Sequence, residues 1–245
     1  MVHLWPWRPG RRRVGAVLEA TPPGAFTHAP FVGATRGGGA GGRGAGGEAA
    51  APASAAEAPW PAAPGPLRAS LRRGRYGRDF RTDCNACVVG RGREDFAAAR
   101  EALLGWEHFQ LGWTQVDKAT GTEPGSKVAV VARAVLPWTI NPLEVVWLDD
   151  SGAPGRRAKG GRTAFAHGTT RGHLLSGEER FAVEWDGGEV GEVRYEVAAF
   201  SRPGHPLAAA TYPVVRLLQR RFAQDSMKAL QGVVEQKRRE RAPKS

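Results

Sequence analysis

Cysteine is scarce in this chain, which has only two among its 245 residues. Small secreted proteins that lack a sufficient core usually carry many disulfides, so this count argues against that class. The two residues, Cys84 and Cys87, form a C-x-x-C motif, which can mark a redox or a zinc site. The motif lies in a run typical of a strand, where residues three apart point to opposite faces. Because no second C-x-x-C completes a zinc site, we expect two free cysteines.

Long apolar runs and familiar catalytic motifs are also missing. No run of eighteen apolar residues is present, so the sequence predicts no transmembrane helix. A Ser-His-Asp signature, a nucleophile elbow and a phosphate-binding loop are absent as well. The pattern Gly90-Arg-Gly92 precedes a predicted helix, but acidic residues follow it at once, which favours a plain strand-to-helix turn over an anion site. The sequence accordingly predicts no cofactor and no metal.

Acidic residues are rare at the N-terminal end. The formal net charge of the chain is +11, and residues 1–75 hold ten Arg and three Glu, a net of +7, so only +4 is left for the remainder. Basic tails attract nucleic acid, anionic lipid and import machinery alike, so no specific nucleic-acid partner is predicted. A basic, acid-poor start is typical of an organelle transit segment. An ordinary disordered tail and a mispredicted start codon are the alternatives, and the localisation stays open between plastid and cytoplasm.

Composition divides the chain into five regions. Residues 37–66 consist of Gly, Ala and Pro with almost nothing to bury, so they cannot offset their own ordering entropy. The predicted regions are a basic disordered tail or transit segment at 1–23, a first domain segment at 24–36, a flexible insertion and basic loop at 37–82, the main α+β domain at 83–234, and a charged tail at 235–245.

The most regular pattern covers residues 168–181 and predicts a hairpin with Ser176-Gly177 at its turn, because glycine accepts the positive φ of a tight turn. Counting outward pairs Leu174 with Glu179, His173 with Arg180, and Gly172 with Phe181. Side chains alternate between faces along a strand. The predicted apolar face carries Leu174, Glu179, Phe181, Val183 and Trp185, and the opposite face carries Arg171, His173, Glu178, Arg180 and Glu184.

Periodicity along the rest of the chain predicts a strand at 86–89, a helix from 94 to 106, strands at 127–135, 143–148 and 193–200, and a helix from 207 to about 234. Turns or breaks are predicted at 137–142, 151–161, 186–188 and 201–206. The fold class is therefore α+β, with a bent antiparallel sheet of about six to seven strands packed on a long C-terminal helix. This arrangement resembles the helix-grip architecture of START and Bet v 1-like proteins, which often enclose a cavity between sheet and helix.

Several short motifs are distinctive when taken together. They are Val88-Val-Gly-Arg-Gly92, Trp106-Glu-His-Phe109, Gly112-Trp113, Leu136-Pro-Trp138, Asn141-Pro142, the run from Gly172 to Phe181, Ala199-Phe-Ser-Arg-Pro203, Tyr212-Pro213 and, near the N-terminus, Val32-Gly-Ala-Thr-Arg36. This set resembles the motifs of one family, which is known as DUF1990 or UPF0548. The resemblance covers residues 26–233. It implies no established reaction, and it links plant members with the chloroplast outer envelope and with ion conduction.

Among the candidate functional residues, Glu179 is the most notable because the hairpin pattern places it on an apolar face. Such a carboxylate can act as a general base or a ligand anchor, although a nearby Arg or backbone amide often satisfies it. His173 is predicted to face Arg180 beside Glu178, where a cross-strand polar ladder explains it without catalysis. A metal site built from the histidines at 167, 173 and 205 is disfavoured, because no recognised ligand spacing supports it.

Arg202 is a candidate anion ligand at the end of the sheet, and a cap for the last helix or a loop brace is an equal alternative. Trp113, Trp138 and Trp147 are candidates for lining a cavity, although most Trp residues in such a domain belong to the core. The other motif residues that we predict to bind a ligand are Asn141, Gly172, Ser201 and Tyr212.

Three functional hypotheses follow. The first is a soluble, non-enzymatic module that binds a small hydrophobic or amphipathic ligand between sheet and helix. The second is a plastid outer-envelope protein with ion-channel-type activity, for which a membrane surface would be the partner. The third is an enzyme that uses Glu179 as its catalytic group and Arg202 as an anion anchor, which requires both side chains to point into one cleft.

Overall fold

The computed structural model describes residues 3–28, 80–133, 137–150 and 160–242. In chain order its elements are β1 His3–Trp5, α1 Arg11–Ala20, β2 Arg81–Arg91, α2 Gly92–Leu104, a 3-10 turn Glu107–Phe109, β3 Thr114–Gln115, β4 Lys127–Arg133, β5 Trp138–Asp149, β6 Gly161–Thr169, β7 Leu175–Trp185, β8 Glu192–Pro203, α3 Pro206–Ala210 and α4 Tyr212–Arg241.

The strands form one curled antiparallel sheet in the order β2-β8-β7-β6-β5-β4-β3, and β1 pairs with β5 beside that path. Helices α2 and α4 cover one face of the sheet, which we call the inner face, and we call the other the outer face. A sheet with one apolar face must bury it, and a long helix across its curl does so. The predicted fold class, a helix-grip-like α+β domain with a long C-terminal helix, is confirmed.

The inner face and the two helices share a single apolar core. On β7 the alternating residues Phe181, Val183 and Trp185 are almost fully buried, as the predicted face assignment required. They pack with Phe96 of α2 and Leu230 of α4, among others, in one continuous cluster. The burial of these large side chains supplies the main apolar stabilisation of the fold.

The N-terminal segment differs from the predicted disordered tail at residues 1–23. His3–Trp5 pairs with β5, and Arg11–Ala20 is a helix. The helix buries Val17 against Ala129 and Ile140 on the outer face, so this short basic segment has apolar side chains that the sheet can accept. The high charge of the segment makes its few apolar residues, such as Val14, Val17 and Leu18, hard to recognise as a helix face from the sequence. Residues 29–36 of the predicted first domain segment, 37–79 of the predicted insertion and 151–159 of the predicted loop lie outside the described residues.

The predicted hairpin turn at Ser176-Gly177 is wrong. Both residues lie inside β7, and the turn is at residues 170–174, where Gly172 has a φ of +98°. Gly177 has a φ of +156° and lies against the backbone of Phe200 and Ser201 in β8, so a side chain would not fit there. The glycine therefore allows a close strand approach rather than a turn, and β6 pairs with β7 in a register that differs from the predicted one.

Other boundaries also move. Residues 138–142, predicted as a turn, belong to β5, and residues 201–203, predicted to break the sheet, belong to β8. The predicted C-terminal helix is two helices, α3 and α4, separated at Thr211, and α4 continues into the predicted charged tail as far as Arg241. Prolines occupy the first turns of both helices, where the missing amide hydrogen costs little.

The Gly-x-Gly motif makes a tight strand-to-helix junction. Gly92 has a φ of +76° and lies against the carbonyl oxygen of Glu189, so any side chain would collide there. Asp95, in the first turns of α2, accepts a hydrogen bond from the Arg91 amide at 2.8 Å and bonds from Arg238 and Arg241 of α4. This carboxylate occupies the place that an anion would take, and it ties the two helices together.

Candidate functional site

A hollow of about 490 Å³ lies between the sheet and the N-terminal half of α4. Its lining is mostly apolar. It includes Leu4, Phe109, Trp113, Val130, Ala132, Leu143, Leu174, Ala199, Leu207, Val214, Val215, Leu218 and Phe222. The helical spacing of Val214, Leu218 and Phe222 puts them on the face of α4 that looks toward the sheet. We call this hollow the cavity.

A histidine and a glutamate lie side by side on the cavity floor. His167 on β6 and Glu179 on β7 are directly opposite each other in the antiparallel register, and the His167 Nε2 lies 3.5 Å from the Glu179 Oε2. The His167 side chain is 2% exposed, whereas that of Glu179 is 26% exposed. Both residues line the cavity, and Glu179 is the more exposed of the two.

An aromatic wall stands behind this pair. The His167 ring stacks on Trp106 with the two planes 10° apart, and it contacts Phe109 and Phe181. Trp106 adopts a left-handed backbone conformation with a φ of 59°, which is costly for a large residue and is held here by a 2.8 Å hydrogen bond from its indole to the Thr120 carbonyl oxygen. This bend directs the following residues into the wall.

His108 lies deepest in the wall and has no exposed surface. Its ring is enclosed by Trp106, Phe109 and Phe181, and neither of its nitrogens has a hydrogen-bond partner among the described residues. Burial, with a smaller contribution from nearby His167, lowers the pKa of His108 well below the usual histidine value. The ring is consequently neutral and contributes no positive charge to the site.

The other polar groups around the cavity are mostly bonded to the protein itself. The Asn141 amide nitrogen donates to the Val130 carbonyl oxygen at 3.2 Å and to the Thr139 hydroxyl at 2.8 Å. Gln219 of α4 donates to the Ser201 hydroxyl at 2.9 Å. Both N–H groups of the Asn141 amide and one N–H group of the Gln219 amide are therefore engaged within the protein. The predicted positions Asn141 and Ser201 do line the cavity.

The predicted tryptophans separate into two groups. Trp113 lines the cavity, and its indole donates a 3.0 Å hydrogen bond to Asp225 of α4. Trp138 and Trp147 do not line it. Trp138 lies on the outer face under Arg8 and Arg133, and the bulge in β5 between Val145 and Trp147 turns Trp147 to the outer face as well. Of the three candidate tryptophans, only Trp113 is therefore among the cavity-lining residues.

His173 belongs to the turn and not to a cross-strand ladder. Its Nδ1 accepts a 2.9 Å hydrogen bond from the Leu175 amide, and its side chain lies between the cavity and a smaller pocket of about 300 Å³ that Gly172, Arg171 and His205 also line. Burial, aided by His167, lowers the pKa of His173 to about 4, so this ring is neutral at pH 7. The predicted pairing of His173 with Arg180 is wrong because the turn was misplaced.

Glu178 and Arg180 lie on the outer face, as predicted from alternation. Glu178 contacts His28 with a 3.0 Å distance between Oε1 and Nε2, and Arg180 pairs with Glu196. Burial, aided by the charge of Arg162, lowers the pKa of the nearly inaccessible Arg180 to about 8, and the Glu184 carboxylate acts in the opposite direction. Both side chains pair with outer-layer residues. Glu178 also borders the cavity, whereas Arg180 is not among the lining residues.

Arg202 also lies on the outer face, where its guanidinium sits 4.9 Å from the centre of the Phe80 ring. Adjacent Ser201 faces the cavity, so alternation along β8 sends Arg202 the other way. The enzyme hypothesis required Glu179 and Arg202 in one cleft, and this geometry contradicts it. Tyr212, another predicted position, begins α4 and is not among the cavity-lining residues.

The importance of His167 as the partner of Glu179 was missed from the sequence. His167 was considered only as a metal ligand, and residues 3–28, 80–133, 137–150 and 160–242 contain no group of three His, Cys, Asp or Glu side chains placed to hold an ion. The signal that could have found the pair was the alternation of Phe165, His167 and Thr169 along β6. With the turn placed at Gly172, the register puts His167 opposite Glu179.

Two further features concern membrane insertion and the cysteines. Within the described part of the chain, no helix combines the length and the apolar character needed to cross a bilayer. Cys84 and Cys87 carry free thiols. In the register between β2 and β8 they lie opposite Ala198 and Tyr195, respectively. Burial raises the pKa of both thiols.

The site and the sheet order together define a helix-grip domain with an internal cavity. The family profile described as "Domain of unknown function (DUF1990)" matches residues 66–229, which is more than half of the chain. The chain therefore belongs to the DUF1990 family, as its motifs predicted.

Relatives by sequence agree with this assignment. A UPF0548 protein of Arabidopsis thaliana is 43% identical over 145 residues, which cover 58% of this chain and 68% of that protein. A UPF0548 protein of Dictyostelium discoideum is 34% identical over 154 residues, covering 60% of this chain and 70% of the relative. Among solved structures, a Thermus thermophilus protein shares 14% identity with a TM-score of 0.44, over 63% of this chain and 97% of the other.

Proposed function

We propose that this protein is a binding module that holds one small, largely apolar molecule in the cavity between the curled sheet and α4. The observation that carries this proposal is the hollow of about 490 Å³ inside an otherwise packed domain. Pockets for small molecules are usually preformed, mostly apolar and equipped with few polar groups. The cavity has each of these properties.

The cavity also has an apolar rim through which such a molecule can enter. Leu4, Leu207 and Val214 line it and are 42%, 42% and 45% exposed, respectively. They come from β1, α3 and the start of α4, which are the elements around its mouth. Thr211, where the chain breaks between α3 and α4, also lines the cavity, so the cover of the hollow is interrupted at this point.

Native mass spectrometry of the full chain, purified without detergent, tests the proposal. We expect an additional small mass that leaves on denaturation. Ala199→Leu, which places a larger side chain in the cavity, should lose that mass, whereas Val190→Leu, in an exposed loop, should keep it. A homogeneous protein that carries no extra mass and takes up no apolar small molecule would contradict the proposal.

Fewer observations support the enzyme and envelope-channel hypotheses. The enzyme hypothesis loses its anion anchor because Arg202 and Glu179 are on opposite faces. The envelope-channel hypothesis has no feature of the described residues to recommend it, and we do not propose it.

A further inference from the structure

The charge of the cavity floor is one-sided. Glu179 is a carboxylate that faces the hollow, and no Arg or Lys side chain is found among the cavity-lining residues in the described part of the chain. The two nearby histidines whose pKa values are lowered, His108 and His173, are neutral. The floor therefore presents a negative group in an apolar setting with little positive charge to oppose it.

The Glu179 carboxylate is also short of hydrogen-bond donors. Within residues 3–28, 80–133, 137–150 and 160–242, its side-chain contact is the His167 Nε2, at 3.5 Å, which is longer than a good hydrogen bond. Both donors of Asn141 and one donor of Gln219 are directed to other protein atoms. An ionised carboxylate only accepts hydrogen bonds, and Glu179 lines the cavity, so it can accept one from a ligand held there.

His167 fixes the position of this acceptor. It is nearly inaccessible and is stacked on Trp106, so its ring cannot swing away from Glu179. The pairing of β6 with β7 also places the His167 and Glu179 backbones directly opposite each other, which keeps their side chains close together. We regard His167 as a positioning residue, because its side chain touches Glu179 and has almost no exposed surface of its own.

From this geometry we propose that the ligand carries a hydrogen-bond donor, a hydroxyl or an ammonium group on an apolar body, and that Glu179 receives this donor. The inference rests on the proposed function, because it names the chemical class of molecule that the cavity takes. A carboxylic acid would bring a second acceptor, and at neutral pH a second negative charge, against Glu179 in a poorly solvated place. A site built around a buried polar partner discriminates strongly against analogues that cannot pair with it.

Isothermal titration calorimetry of the full chain with four matched probes tests the inference. Decanol, decylamine, decyl methyl ether and decanoate share one alkyl chain and differ in the head group. We expect decanol and decylamine to bind at least tenfold more tightly than the ether, and decanoate to bind most weakly. This ranking is measured on the unmodified protein, so it does not depend on whether a variant folds.

Glu179→Gln removes the charge and keeps the size of the side chain. In this variant we expect decylamine to lose at least tenfold in affinity, decanoate to gain, and the ether to be unchanged. The matched control is Glu184→Gln on the same strand, where the carboxylate is on the outer face and pairs with Arg162. The control should leave all four affinities as they are.

The outcomes separate the two proposals. Equal affinities for all four probes, or tightest binding of decanoate, would overturn the donor inference and leave the binding module standing. A lack of saturable binding by every probe would overturn the binding module itself, and the inference with it.

Discussion

The two ends of α4 face the same sheet and yet enclose different interiors. At the C-terminal end Leu230 and Val234 have no exposed surface and pack with Phe96 of α2 and the β7 side chains. At the N-terminal end Leu218 and its neighbours face a hollow. The difference comes from α2, which fills the first space and is tied to the end of α4 through Asp95. One helix thus serves as a packed support at one end and as a lid at the other.

Shortening leucines at the two ends gives the largest contrast. Leu230→Ala should lower the free energy of unfolding by about 2–5 kcal/mol, because it leaves a void in close-packed surroundings. Leu218→Ala should cost less than about 1 kcal/mol, since its side chain already borders empty space. Urea denaturation of both variants measures the difference, and equal losses would mean that the two ends are packed alike.

The link between α2 and α4 can be broken at Asp95. Asp95→Asn should cost about 2 kcal/mol at pH 7, because it removes charge-assisted hydrogen bonds in a buried position. Burial raises the pKa of this carboxyl, but the bonds from Arg238, the Arg91 amide and Arg241 outweigh burial and lower the pKa below its usual value.

A folded-state pKa that is lowered means that the stabilisation exists at neutral pH and disappears as the pH falls. The difference in stability between the parent chain and Asp95→Asn should therefore be constant above about pH 5 and shrink below about pH 4, near the unfolded value. Denaturant titrations at several pH values test this. A difference that grows on acidification would contradict the role given to Asp95.

Enlarging alanines sharpens the contrast in the opposite direction. Ala99→Leu, in the filled end, should destabilise by about 1–3 kcal/mol, since there is no room for extra atoms. Ala199→Leu, in the hollow end, should change stability by less than about 1 kcal/mol and weaken ligand binding at least tenfold. The pair is checked by thermal unfolding together with calorimetry. Unchanged ligand affinity in Ala199→Leu would place the ligand elsewhere.

Of these substitutions, Arg202→Ala should have the smallest effect on stability and on ligand affinity. The guanidinium lies over Phe80 on the outer face, so the loss of this contact should cost less than about 1 kcal/mol and leave ligand affinity unaltered. The same calorimetric assay checks it. A tenfold loss of affinity would show that Arg202 reaches the cavity after all.

Most of the fold can be predicted from the alternation of residues along strands and from helical spacing. The predicted faces of Phe181, Val183 and Trp185, and the helical stripe of Val214, Leu218 and Phe222, correspond to the structure because burial follows period and spacing directly. The helix over 94–106 and the strand at 193–200 were likewise recognisable. What these patterns do not contain is strand partnership, which depends on where each turn falls.

The candidate site was only half predictable for that reason. Glu179 stands out as a charge on an apolar face, and that prediction needed only the alternation of β7. Its partner His167 depends on the register, and the Ser-Gly signal at residue 177 pointed to the wrong turn because glycine also serves close strand contacts. Arg202 points away from the cavity because residues 201–203 continue β8 instead of breaking the sheet, so alternation applies to them. Trp138 lies in β5 where a turn is predicted, and the bulge after Val145, which one sequence does not show, turns Trp147 outward.

The most direct test of the account is a two-dimensional amide NMR titration of the full chain with decanol. We predict saturable shifts concentrated on residues around the cavity, such as Ala199, Leu218 and Glu179, with little change around Leu230 and Phe96. Shifts that are spread evenly over both ends of α4, or that never saturate, would contradict the claim that the hollow end is a binding site.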